Sequence, residues 1–224
     1  MTTIRTVAVH EVVRSTYPRD PRPGQEVGLA AGKAVDVSLA RYSHEHAQGR
    51  RPTLTAMQEL AGTVLDSAID ELGAEISAAE RAAALAPMPH VLRAFRKSVL
   101  FDLRRPRSHL ILINSAVGVY AQPDFWDGRS RIYELKSYRA DPTAEEIALQ
   151  LRFYQIAFPG FSLELVCIDR HANPVTVSVE AIRRPTPAET DSALRLALTV
   201  AREKGVDKVL EYVDAPITSC TIGV

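Results

Sequence analysis

Apolar residues recur at helical spacing over the first half of the chain and at strand spacing over much of the second. Thr6 to Val13 alternates, and predicts either a short strand or the start of a helix. The Pro-rich stretch from Pro18 to Pro23 is a rigid loop. Val27 to His46 reads as a helix despite Gly28 and Gly32, and Arg50-Arg51-Pro52 breaks it. Thr53 to Leu85 reads as one long helix or two shorter ones interrupted near Gly73. Pro87 and Pro89 end that stretch, and a basic helix follows to about Arg105. The period then changes. Leu110 to Asn114, Ala116 to Asp124 and Ile132 to Tyr138 read as strands. Phe161 to Ile168 is an apolar strand that turns at Asp169 to Pro174 and returns as Val175 to Ile182. The last helix starts at Thr186-Pro187-Ala188-Glu189, a capping box, and stops at Gly205. Helices ahead of a strand meander, with one helix between strands, indicate an α/β or α+β fold. The pattern divides into a mainly helical part at 1–109 and a sheet-bearing core at 110–224, together one compact domain.

The strand pattern around residue 124 places chemistry at one point. Asp127-Gly128 is a hairpin signal between Pro123-Asp124 and Glu134-Leu135-Lys136. Side chains alternate along a strand, so Glu134 and Lys136 share one face and Tyr133 and Leu135 the other. Pairing about the turn brings Asp124 toward Glu134. Two carboxylates at ~4 Å, with an effective dielectric of ~20, repel by roughly 4 kcal/mol. A divalent cation removes that cost, and oxygen ligands suit magnesium or manganese. A lysine beside it can orient a water or stabilise charge on a phosphate oxygen. A surface hairpin with an ordinary Glu–Lys pair is the bland alternative.

The next element adds to the pattern. Asp141 to Glu146 reads as a helix start, with Thr143 and Glu146 as a capping box. Ile147, Leu151, Tyr154 and Phe158 form an apolar stripe behind it. Gln150 and Tyr154, four apart, stack on one helix face.

The run Pro123-Asp124, Glu134-Leu135-Lys136 and then Gln150-x-x-x-Tyr154 resembles the RecB-like branch of the PD-(D/E)XK nuclease superfamily. The resemblance implies a restriction-endonuclease-like mixed central sheet flanked by helices, and metal-dependent cleavage of DNA. It implies that Asp124, Glu134 and the Leu135 carbonyl hold a Mg²⁺ or Mn²⁺ ion, that Lys136 is the catalytic lysine, and that Gln150 and Tyr154 support the site or contact DNA. Members of the branch also carry a GxxxH motif on an upstream helix, whose histidine completes the metal shell. The match here is Gly32 to Asp36, with aspartate, a good hard ligand, in the histidine position. His44 and His46, beside Glu45, are the competing candidates. The opening Val9 to Arg19 resembles iron–sulfur members, among them CRISPR-associated exonucleases. With only Cys167 and Cys220, four-cysteine ligation is excluded, so no cluster is expected. Cys167 reads as a core residue.

Composition bounds the rest. The 224 residues are 46% hydrophobic and 24% charged, as in soluble globular proteins, with no net charge. There is no long apolar run and no signal-peptide pattern, so a cytoplasmic protein without a membrane partner is expected. Charge is unevenly spread. His90 to His109 carries Arg93, Arg96, Lys97, Arg104, Arg105 and Arg107 against Asp102, while Thr53 to Ala86 is acidic. The basic stripe can follow a phosphate backbone, with Arg93, Arg96 and Lys97 as contacts, or be a solvated helix face. The leading expectation is an exonuclease or flap-processing DNase acting on single-stranded DNA or free ends, alone, as a homo-oligomer or in a DNA-processing complex. The alternative is a non-cleaving, nuclease-like subunit that binds DNA or protein in DNA repair or CRISPR adaptation.

Overall fold

Small side chains let the first long helices pack closely. In the computed structural model, residues 5–18, 25–101, 103, 109–114, 117–204 and 217–219 are described. Helix α2 (Glu26–Ala47) turns Ala30, Ala31, Ala34, Val35, Leu39 and Tyr42 inward against α3 (Leu54–Glu71). Thr53 Oγ1 caps α3 by accepting from the Ala56 N–H at 3.1 Å. Gly73, at φ 62°, takes the left-handed conformation that ends it. The Thr53–Leu85 pattern is thus two helices. The second, α4 (Ala78–Leu85), is opened by a Ser77–Glu80 capping box.

Helix α5 (Met88–Lys97) accommodates Pro89 in its first turn, where no backbone donor is needed. It ends well before Arg105. Ser98 is extended, and its hydroxyl donates to the Phe95 carbonyl (2.7 Å) and accepts from the Leu100 N–H (3.2 Å). Among residues of the other readings, 19–24 of the Pro-rich loop, Asp102, Arg104, Arg105, Arg107, Gly205 and Cys220 lie outside the described residues.

The eight described strands form two mixed four-stranded sheets where one central sheet was expected. One runs β1 (Arg5–Ala8), β3 (Val117–Ala121), β2 (His109–Asn114), β8 (Ile217–Ser219); the other β4 (Phe125–Trp126), β5 (Arg131–Lys136), β6 (Ser162–Asp169), β7 (Thr176–Ile182). The stretch Ala116 to Asp124, read as one strand, is interrupted after Ala121, and Pro123, which cannot donate to a ladder, lies in the gap. Helix α1 (Val9–Thr16) follows β1 directly, so both readings of Thr6 to Val13 apply in turn.

Alternation along β5 and β6 sorts two cores. Tyr133, Leu135, Val166 and Ile168 face α2, α3 and α5. Ile132, Leu163, Leu165 and Cys167 face α1, α6 (Glu145–Ala157) and α7 (Pro187–Lys204). Phe95 of α5 and Phe153 of α6 are fully buried, each stabilising by about 1.5–3 kcal/mol. The stripe Ile147, Leu151, Tyr154 and Phe158 is buried as expected. Trp126 packs edge-on against Phe161 at 6.3 Å between centroids. The Thr143–Glu146 box does not form. Asp141 Oδ1 instead accepts from the Thr143 N–H (2.8 Å) and hydroxyl (2.6 Å), so Thr143 belongs to the preceding turn. The Thr186–Glu189 box does form. No helix among the described residues is long and apolar enough to cross a membrane.

Candidate active site

The hairpin brings the two acids together. Asp127 Oδ1 accepts from the N–H groups of Arg129, Ser130 and Arg131 (2.8, 2.9 and 3.0 Å), and Gly128 takes φ 77° at the tip. Phe125 then pairs with Tyr133 and Trp126 with Ile132, a register that sets Asp124 opposite Glu134. Asp124 Oδ2 accepts from the Leu135 N–H at 2.9 Å. This bond supplies an acceptor for a backbone donor of β5 and fixes the Asp124 rotamer.

Glu134 is 3% exposed, on the face toward α6. Its Oε1 accepts from Lys136 Nζ (2.8 Å) and Gln150 Nε2 (2.7 Å). The Gln150 Oε1 accepts from Lys136 Nζ (3.0 Å), closing a three-residue ring, and Gln150 Nε2 also lies 2.8 Å from the Tyr154 hydroxyl. The spacing of Gln150 and Tyr154, one turn apart on α6, produces this geometry. Glu134 Oε2 is buried with no hydrogen-bond partner among the described residues.

The electrostatics follow. Burial first, and the Asp124 charge second, push the Glu134 carboxyl up to about 8, against the pull of Lys136. Burial works against the Lys136 ammonium, but Glu134 and then Asp124 outweigh it and hold it above its usual range. Without a cation the Glu134 carboxyl is therefore mostly protonated at neutral pH. Burial, then the charges of Glu134 and Asp124, keep the Tyr154 hydroxyl protonated well above its usual range. A buried, unpartnered carboxylate oxygen next to a second carboxylate fits a divalent cation, which would lower the repulsion and occupy the free oxygen.

The other expected site residues have contacts of their own. Among the described residues no group of three or more His, Cys, Asp or Glu side chains forms a metal-holding cluster. Asp36 lies within electrostatic reach of Arg170. His46 stacks on Phe101 at 4.1 Å, and exposed His44 meets Gln48 at 2.8 Å. Arg93 and Lys97 line a cleft of about 490 Å³ with His90, Pro174, Val175 and Val177, whereas Arg96 is not part of that lining. Val177 pairs with Ile168, which faces α5, so the cleft lies on the opposite face of the sheet from Glu134 and Lys136. Arg170 and Ser137 were not singled out from sequence. The parallel register Lys136 to Cys167 carries both to the same end of the sheet.

A helical N-terminal region and mixed sheets flanked by helices define an exonuclease-like fold. The solved structure of a candidate exonuclease from Eubacterium rectale is similar at a TM-score of 0.54 and 10% identity, over 94% of this chain and 86% of that one. Similarity at lower scores extends to SSO0001 (TM-score 0.41, 17% identity, 91% and 78% covered). It extends also to an alkaline exonuclease from Laribacter hongkongensis (TM-score 0.37, 18% identity, 80% and 93% covered). No family and no curated protein matches the sequence. At such identities the likeness is one of fold.

Proposed function

We propose that this protein is a divalent-cation-dependent deoxyribonuclease of the RecB-like PD-(D/E)XK kind, acting on DNA ends or flaps. The observation that carries the reading is the Asp124–Glu134–Lys136–Gln150 arrangement built around buried Glu134, with one Glu134 oxygen lacking a partner among the described residues. Asp124, Glu134 and the Leu135 carbonyl would hold Mg²⁺ or Mn²⁺. The cation, when bound, supplies Lewis acidity to a phosphate oxygen and lowers the pKa of a water.

The chain's own groups do the rest. Lys136 keeps its charge and is held by Glu134 Oε1 and Gln150 Oε1, which aims its ammonium without a long flexible search. A third N–H of that ammonium can orient the attacking water or neutralise charge developing on the phosphate. Gln150 orients both partners, and Tyr154 supports Gln150. Arg93 and Lys97 offer phosphate contacts on the other face of the sheet, away from Glu134 and Lys136.

A non-cleaving subunit has no chemical need for two acids and a lysine brought together, which favours cleavage over the binding-only alternative. The test is incubation of the pure protein with end-labelled single- and double-stranded DNA in Mn²⁺, Mg²⁺ or chelator. Cation-dependent shortening is expected. Intact DNA in every condition would remove the enzymatic reading.

A further inference from the structure

A second polar group sits at the same end of the sheet. Arg170 follows β6 directly. Its Nη1 donates to Ser137 Oγ at 3.1 Å, and its Nη2 donates to the Gly28 carbonyl, in the first turn of α2, at 3.0 Å. The guanidinium lies close against α2 at Gly32, where there is no side chain in its way. A Cβ on Gly32 would stand 3.3 Å from Nη1, tighter than most real contacts. Asp36 lies one turn beyond Gly32 on the same side of α2. Burial pulls the Arg170 guanidinium below its usual range, and the charge of Asp36 is the first to oppose it, followed by Asp169 and Tyr138. A partly buried cation needs such matching acceptors and charge. Ser137 is the residue after Lys136.

We propose that Gly32, Asp36 and Arg170 form a guanidinium cradle in which Arg170 is a positioning residue: through Ser137 it fixes the end of β5 and hence the Lys136 ammonium, while Asp36 serves the arginine and not a cation. The catalytic part of this rests on the nuclease reading; the cradle itself does not. The glycine of the GxxxD run then leaves room for the guanidinium, and the acid supplies opposing charge. Arg170 joins two segments that no local pattern connects.

The test combines Mn²⁺ calorimetry, denaturant unfolding and single-turnover cleavage. Arg170→Lys keeps the charge but cannot span Ser137 Oγ and Gly28 O with one fork. Its cleavage rate is expected to fall about tenfold or more, with half-saturating DNA concentration and Mn²⁺ affinity unchanged. Gly32→Ala removes a helix-interior glycine, which alone favours the helix. It should match that rate loss with no drop in melting temperature, which a merely structural arginine would not produce. Asp36→Asn should leave Mn²⁺ affinity at the wild-type value while Asp124→Asn weakens it about tenfold or more. In a double-mutant cycle, Asp36→Asn and Arg170→Gln should be non-additive in unfolding.

Wild-type rates in Arg170→Lys and Gly32→Ala would overturn the positioning role. Additive stability effects would overturn the cradle, and an Asp36→Asn loss of Mn²⁺ affinity as large as that of Asp124→Asn would make Asp36 a ligand. If the wild type neither binds Mn²⁺ nor cleaves, the nuclease reading fails together with the positioning role, and the unfolding cycle still decides the cradle.

Discussion

Gln150 donates to Glu134 Oε1 over 2.7 Å, the oxygen that also takes Lys136, and leaves Oε2 without a protein partner among the described residues. The carboxylate is thus asymmetric, one oxygen fixed and one available. Gln150→Leu keeps the volume and removes the fixing bond. Loss of a group that orients a site residue typically costs about 10–100-fold in activity. A cleavage rate reduced by that factor, with a melting temperature close to wild type, is expected from single-turnover assays with thermal melts alongside. An undiminished rate would mean the ring of bonds is incidental.

Asp124 has a structural task and, on the nuclease reading, a chemical one, so its variants should separate the two. Asp124→Ala removes the acceptor of the Leu135 N–H, and an unsatisfied buried donor costs about 1–3 kcal/mol. Asp124→Asn retains an oxygen for that N–H while losing the charge. Both should abolish cleavage, but only the alanine variant should lose stability on this scale in urea unfolding. Equal stability of the two, or surviving cleavage in either, would contradict the assignment.

Glu134 gives a pH dependence with a defined sign. Its carboxyl is pushed up to about 8 by burial and then by Asp124, against ~4.3 in an unfolded chain. The folded state therefore holds the proton more tightly. That stabilisation is full below the unfolded value and is lost as pH rises through about 8. A cation requires the ionised form, so its affinity rises over the same window. The melting temperature without metal should fall from about pH 5 to about pH 9, and Mn²⁺ should restore more of it at the upper end. Asp124→Asn removes the second cause and should move both trends to lower pH. A flat metal-free profile that coincides with that of Asp124→Asn would refute this.

Lys136 is wedged between Glu134 Oε1 and Gln150 Oε1, its side chain 18% exposed. A planar guanidinium keeps the charge but not the compact three-donor geometry. Lys136→Arg is expected to fold, bind Mn²⁺ and lose most cleavage, as Lys136→Ala does. Near-native single-turnover cleavage by the arginine variant would reduce Lys136 to an electrostatic bystander.

The cleft beside α5 separates three residues that the sequence treats alike. Arg93 and Lys97 line it and Arg96 does not. Arg93→Gln and Lys97→Gln should each weaken single-stranded DNA binding and reduce the salt slope by about 0.7 per lost phosphate contact. Arg96→Gln should change neither. Fluorescence anisotropy at several salt concentrations provides the measurement, and equal losses for all three would point to a diffuse charge effect.

Local patterns carried much of this architecture. Asp127-Gly128 with alternating neighbours was enough to predict a hairpin that brings Asp124 toward Glu134; the register itself is set by the longer loop, Gly128 to Ser130, that Asp127 closes onto Arg131. Gln150 and Tyr154 were legible because one helical turn fixes their relation. What escaped depended on distance or competition. Arg170 reaches Gly28 across 142 positions, and β8 joins its sheet beside β2; nothing in either stretch announces its partner. Asp141 captured Thr143 before Glu146 could, since both motifs use the same hydroxyl. Ser98 ended α5 by bonding to its own helix, although basic residues continue beyond it.

The single tryptophan of the chain, Trp126, stands two residues from Asp124 in the short strand paired with β5. It rests edge-on against Phe161. The hairpin thus contains its own optical probe. Intrinsic emission excited selectively at the indole reports on the environment of that one strand, with no label attached and no other tryptophan to subtract. Stopped-flow mixing with Mn²⁺ or an oligonucleotide can then time the arrival of each at the hairpin separately from the bond cleavage that follows.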